Sequence, residues 1–209
     1  MPKSTLVLLV RHGLTATTGK VLPGRAPGLH LSDDGRRQAE AMARRIAALP
    51  RVAAVYASPL ERARETAAPI ARALGVGLRI ERDLAEVDIG AWTGLPLWRA
   101  RRKPEWAAIQ RHPSGFGFPG GESFPAMQTR VTGALARLVA RHPGATLVAV
   151  SHADPIKAAV AHALGTALDL FQRILIAPAS ASAIVYRAEG PIVLTVNSVD
   201  GDLTALIRR

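Results

Sequence analysis

Four short stretches of this chain hold side chains that could bind an anion and move a proton or a chemical group. The first is Arg11-His12-Gly13. An arginine offers a planar, permanently charged fork to phosphate-like oxygens, and a histidine beside it can serve as nucleophile or proton carrier near neutral pH. Gly13 would let the backbone turn and a substrate approach closely. The second stretch is Ser58-Pro59-Leu60-Glu61-Arg62-Ala63-Arg64-Glu65-Thr66-Ala67. Here Arg62 and Arg64 are equal candidates for anion binding, or ordinary partners of Glu61 and Glu65 on a solvated helix face. The third, Leu84 to Gly94, is a glycine-rich loop in which Glu86 and Asp88, with Asp83 just before, are candidate acids. The fourth is Ser151-His152, a second histidine.

These stretches need elements to hold them, and the chain supplies a regular alternation. Short apolar runs at Leu6–Val10, Val52–Tyr56, Leu78–Glu81, Thr146–Val150, Ala183–Arg187 and Ile192–Val199 read as strands. Amphipathic stretches at Asp33–Ala48, Leu60–Leu74, Ser123–Arg141 and Pro155–Leu164 read as helices. In the third, Met127, Val131, Leu135, Leu138 and Val139 form one buried stripe. The alternation predicts an α/β fold, a largely parallel central sheet with helices on both faces. Three of the reactive stretches then lie at strand ends, where α/β sheets bind ligands. Ser58-Pro59 is expected to cap and open a helix that Gly75 stops. The strand ending at Val150 runs directly into a helix, whose amino-terminal N–H groups favour phosphate.

Residues 88–121 depart from this pattern. They hold all three tryptophans, Phe116, Phe118 and the cluster Arg101-Arg102-Lys103, interrupted by glycine and proline. Such an excursion is expected to be either a substrate lid or a flap that packs its aromatics on the body. With no repeat or linker, the 209 residues read as one domain spanning 1–209. The absence of cysteine excludes disulfides and thiolate chemistry. The first apolar run is too short for a signal peptide core, and no stretch approaches the roughly 20 apolar residues of a membrane span. A soluble, cytoplasmic protein is the expectation. The formal charge of +11 comes from Lys and Arg spread along the chain, with few aromatics and no nucleic-acid motif, so nucleic acid is not an expected partner.

Taken in order, the motifs resemble the histidine phosphatase superfamily, which includes cofactor-dependent phosphoglycerate mutases and many small-molecule phosphatases. The landmarks run from residue 6 to 157: Leu9-Val10-Arg11-His12-Gly13, then Leu31-Ser32-Asp33-Asp34-Gly35 with Gln38-Ala39, then Ser58-Pro59 with Arg62 and Thr66-Ala67. Glu86 with Gly90 and Gly94, Gly121-Glu122-Ser123 with Arg130, and Ser151-His152 complete them. The resemblance implies a phosphoglycerate mutase-like fold in which His12 is phosphorylated and Arg11, Arg62 and His152 bind the phosphate. It selects Arg62 over Arg64, and selects Glu86 as the proton donor and acceptor. It also implies a small phosphorylated substrate, no cofactor, no metal and a possible homodimer.

Several positions depart from the family. Leu14 stands where many members have glutamate, and Thr18 where an asparagine often contacts substrate; Thr18 can still hydrogen-bond. Ala153-Asp154 replaces a glycine and a neutral polar residue found in mutases, and Asp154 would disfavour a second acidic group on the substrate. This favours a phosphatase over a mutase-like transferase, and the presence of Arg11, His12, Arg62, Glu86 and His152 speaks against a catalytically idle ligand binder. His152-Ala153-Asp154 contains an H-x-D fragment, but a metal site needs three or four convergent ligands. His30, His112, His142 and His162 read as surface or packing residues, and Ser58 as a helix cap rather than a ligand.

Overall fold

The run Leu6–Val10 becomes the middle of a sheet, and its alternating side chains feed two separate cores. The structure, a computed structural model, describes residues 3–206; residues 1–2 and 207–209 of the expected domain lie outside the described residues. The elements are β1 (Thr5–Arg11), β2 (Val21–Leu22), α1 (Asp33–Ala47), β3 (Val52–Ala57), α2 (Glu61–Leu74), β4 (Leu78–Ile80), β5 (Leu95–Pro96), α3 (Leu97–Ala100), α4 (Glu105–Arg111), α5 (Phe124–Arg141), β6 (Thr146–Ser151), α6 (Ala153–Ala163), β7 (Ala181–Tyr186) and β8 (Ile192–Ser198). The six-stranded sheet has the order β4-β3-β6-β1-β7-β8. The first four strands are parallel; β7 runs antiparallel to β1 and β8 antiparallel to β7.

Leu6, Leu8 and Val10 pack with Met42 and Ile46 of α1 and Ala67 and Ile70 of α2. Val7 and Leu9 face the other way, toward Met127, Val131 and Leu135 of α5 and Ile156 and Val160 of α6. Successive strand residues point to opposite faces, so an uninterrupted apolar run demands helices on both sides. Val139, the last member of the expected α5 stripe, is only partly buried.

Two helix starts differ from expectation. Helix α2 begins at Glu61 with Leu60 at its cap position and no side-chain capping bond, so Ser58 lies outside the helix. Helix α6 begins at Ala153 rather than Pro155, with His152 at the cap position. Gly75 closes α2 in the left-handed conformation, at φ 66°.

The excursion 88–121 leaves the body and returns at one narrow neck. There Ala91 N–H donates to Pro119 O and Glu122 N–H to Asp88 O, at 2.9 and 2.7 Å. A side chain at Gly90 (φ 48°) would come within 2.2 Å of Pro119 O, and one at Gly121 within 2.4 Å of Asp88 O. Beyond the neck, β5 pairs with β2, and Trp92, Phe116, Phe118, Phe124 and Phe171 join in an edge-to-face cluster. Trp98 stays outside, exposed beneath Arg99 and Arg102.

Candidate active site

Sheet register assembles the site. Arg11 of β1 is paired with Ser151 of β6, so the next residues, His12 and His152, leave neighbouring strands side by side. His12 N–H donates to Ser151 O at 3.0 Å, and the two imidazole rings lie 5.1 Å apart. On the other flank of β6, Ser58 N–H donates to Val150 O at 2.9 Å, which brings the end of β3 alongside. Three adjacent strand ends thus carry Arg11-His12, Ser151-His152 and Ser58.

His12 is buried, with Nδ1 2.8 Å from its neighbour Gly13's carbonyl oxygen. A carbonyl only accepts, so Nδ1 carries the proton and Nε2 keeps its lone pair. Burial, followed by the charges of Arg62 and Arg11, depresses the His12 pKa to about 3. The ring is therefore neutral, and Nε2 is its nucleophilic atom. Packing gives Gly13 a role of its own. A Cβ there would lie 2.6 Å from Gly35 O, at the start of α1. Its N–H donates to Thr66 Oγ1 at 3.0 Å, tying the loop to α2.

Arg62 is fully buried in the first turn of α2, whereas Arg64 is exposed. Nη2 of Arg62 donates to Gly24 O at 2.8 Å; its Nε and Nη1 have no protein partner. Arg11 donates through Nη1 to Ile176 O at 2.6 Å and its buried Nε also has none. Burial lowers both arginine pKa values, with the Glu86 charge as the main counterweight. His152 is fully buried with Nε2 2.7 Å from Ser58 Oγ and Nδ1 unpartnered by protein. Its pKa is far below the usual value, through burial and then His12, Arg62 and Arg11. Buried polar atoms are rarely left unpaired. Here four such nitrogens belong to Arg11, Arg62 and His152, groups whose chemistry suits an oxyanion.

Glu86 sits across from these cations. Its pKa is pushed up to about 7, by burial first and then by Asp154, against the pull of Arg62 and Arg11. Its rivals are otherwise engaged: Asp83 pairs with Arg137, and Asp88 accepts from Gly90 N–H and faces Arg25. A clamp that sequence reasoning left without a role fixes the Glu86 backbone. Arg130 donates to the carbonyls of Asp83, Ala85 and Glu86 at 2.6, 2.8 and 3.0 Å, and Arg25 donates to Glu86 O at 2.7 Å. Glu122 binds both arginines.

Of the two remaining candidates, Asp154 belongs to the site and pairs with Lys157 at 3.1 Å. Thr18 instead bonds within its own loop, to the backbone N–H and hydroxyl of Thr15, both at 3.0 Å. Ser58 departs from the expected cap: it lies two residues before Leu60, the cap position of α2, accepts the Leu60 N–H, and meets His152 Nε2 at 2.7 Å. Among the described residues no group of three or more His, Asp or Glu could hold a metal ion. None of their helices is long and apolar enough to cross a membrane. Of the other histidines, His30 pairs with Glu65, His112 with Asp169 and His142 with Tyr56.

Residues 7–199 match the sequence profile of the histidine phosphatase superfamily (branch 1). A bifunctional protein of Mycobacterium tuberculosis is 38% identical over 189 residues, 89% of this chain and 51% of its own length. The chain thus spans about half the length of the first curated relatives it matches. Phosphoserine phosphatase 1 of Hydrogenobacter thermophilus is 32% identical over 91% of both chains. A mycobacterial glucosyl-3-phosphoglycerate phosphatase has the same fold, with a TM-score of 0.85 over 94% of this chain and all of its own, at 24% identity. Profile, relatives and fold agree, and the chain belongs to the histidine phosphatase superfamily.

Proposed function

We propose that this protein hydrolyses small phosphomonoesters without a metal, through a phosphohistidine on His12. The observation that carries the reading is the Nδ1 contact of His12 to Gly13 O, which leaves Nε2 as the free lone pair beside two arginines. Nε2 attacks phosphorus in line with the ester oxygen; an N–P bond forms as the P–O ester bond breaks. The proton on Nδ1 stays shared with Gly13 O, which supports the charge the ring acquires. Arg11, Arg62 and His152 hold the three equatorial oxygens as charge redistributes over them.

Glu86 is half protonated near neutral pH, which suits a group that must first give a proton and then take one. It protonates the departing alcohol. As a carboxylate it then removes a proton from water, whose oxygen attacks phosphorus and returns His12 Nε2 as inorganic phosphate leaves. Residues 88–121 cover the leaving-group side as a lid. The names of the relatives favour hydrolysis over transfer to a second acceptor, and so does Asp154, whose charge opposes an acidic acceptor.

The test is phosphate release from an aryl phosphate and a panel of phosphorylated metabolites in EDTA. Wild type is expected to turn over and to yield an acid-labile phosphoprotein; His12→Ala is expected to do neither. Turnover that survives in His12→Ala would remove the nucleophile assignment. A folded wild type that releases no phosphate would leave an acceptor-requiring transferase or a ligand binder.

A further inference from the structure

Beside the phosphate-binding residues, a cavity of about 380 Å³ opens between the excursion and the chain after α6. That size falls within the roughly 300–1,000 Å³ of pockets that enclose sizeable organic ligands. Arg11 and Asp154 line it where it meets the phosphate site. Its walls are chiefly apolar: Trp92, Trp106, Ile109 and Phe118 on one side, Leu175 and Ile176 on the other. The aromatic wall is firmly built, with Phe118 5.6 Å from Trp92 and 5.4 Å from Phe124. Leu175 is 72% exposed, a large apolar side chain held in water at the cavity's edge.

The charges in this cavity do not suit an acidic leaving group. Lys157 is engaged by Asp154 at 3.1 Å and Gln172 at 2.9 Å, over the Phe171 ring. Arg101 also lines the cavity, but it is exposed, where water and salt screen its charge. Asp154 is the other half of the Lys157 ion pair, yet its carboxylate still acts on Glu86 and so is felt at the phosphate end of the cavity.

We propose that the site prefers phosphomonoesters of uncharged alcohols bearing an aromatic or similarly sized apolar group, and discriminates against leaving groups with a carboxylate near the phosphate. The proposal rests on the hydrolase reading above. The bonds made and broken are the same: phosphoryl to His12 Nε2, proton from Glu86 to the alcohol, and water closing the cycle. The apolar body of the alcohol occupies the walls that Trp106 and Leu175 help to form.

Four alkyl phosphates separate the possibilities: 2-phenylethyl phosphate, ethyl phosphate, O-phosphoserine and 3-phosphoglycerate, each compared by kcat/KM. The phenylethyl ester is expected to exceed the other three by about tenfold or more. Leu175→Ser, at an exposed position that tolerates change, and Trp106→Ala should both shrink that advantage over ethyl phosphate. Asp154→Asn should raise O-phosphoserine relative to the phenylethyl ester. Equal rates for ethyl and phenylethyl esters, or a lead for O-phosphoserine, would overturn this preference while leaving hydrolysis intact. An unchanged ratio in Asp154→Asn would overturn the discrimination against carboxylates. Failure of wild type to release phosphate from all four, and from an aryl phosphate, would bring down the hydrolase reading and this proposal with it.

Discussion

Ser58 Oγ lies 2.7 Å from His152 Nε2, and the same oxygen accepts the Leu60 N–H at 3.3 Å. With a lone pair turned to that N–H, the hydroxyl hydrogen is available to His152 Nε2. When that hydroxyl donates to Nε2, His152 carries its own proton on Nδ1, the atom without a protein partner. Ser58→Ala frees the other tautomer, which would turn a lone pair toward the phosphate. We expect kcat to fall by about tenfold to a hundredfold, short of removing a donor outright. Nitrogen-15 shifts of His152 should show the proton moving between ring nitrogens, and an unaltered tautomer with full activity would refute the role.

Arg62 trades stability for chemistry. A guanidinium with no exposed surface and two nitrogens lacking protein partners is costly to bury. Arg62→Met should raise the melting temperature by several degrees while lowering kcat by about 10²–10³-fold. Vanadate or phosphate should raise the melting temperature of wild type more than that of the variant, as ligand linkage requires. A variant less stable than wild type would show that the Gly24 contact outweighs the burial cost.

The pH behaviour follows from two opposite shifts. His12, at about 3, is already neutral above pH 4, so its protonation should give no acidic limb in kcat/KM between pH 5 and 7. In the proposed mechanism Glu86, at about 7, starts protonated, so kcat/KM should fall as pH rises above 7. Glu86→Gln should abolish that limb along with most activity.

Stability gives an independent reading of the same group. A carboxyl whose folded pKa is raised favours the folded state fully below its unfolded value of 4.5, and that contribution is lost as pH rises through about 7. At pH 8 the buried carboxylate costs on the order of 3 kcal/mol. Glu86→Gln should therefore stabilise the protein at pH 8 and do little at pH 4, as measured by denaturant unfolding. His12 acts in reverse: its folded pKa is depressed, so stability is lost as pH falls from 6.5 toward 3, because the unfolded chain alone takes up the proton.

Gly13→Ala should cost about 1–3 kcal/mol, because the added methyl meets backbone at Gly35 rather than a side chain that can swing away. The loss should appear in the denaturation midpoint with little change in slope. A neutral substitution would mean that the start of α1 yields.

The sheet and its main helices were legible because their signals are local. An unbroken apolar run such as Leu6–Val10 needs cover on two faces, and the stripe through Met127, Val131 and Leu135 has only one helical reading. The locations of Arg11, His12 and His152 followed from the ends of those strands. Ser58 was misread because its partner is 94 residues away, across a strand register that no local pattern encodes. The need for Gly13 was likewise set by Gly35, in another element. Arg62 and Arg64 differ by half a turn of helix, and only tertiary packing buries one and exposes the other. The residues alone did not separate Glu86 from Asp83 and Asp88; the family resemblance chose it, and the ion partners of its two neighbours agree with that choice.

The neck at Gly90 and Gly121 gives this architecture a heritable consequence. Two closely packed backbones fasten the excursion there, and the arginines that hold the Glu86 peptide, Arg130 and Arg25, both come from outside residues 91–119. Exposed positions such as Trp98 can change without touching those arginines, whereas Trp92, Ala100, Ile109 and Phe118 are built into the main core and constrain any insertion or deletion. Only the outer surface of the excursion is thus free to diverge, because its buried aromatics belong to the core on which the strand ends rest.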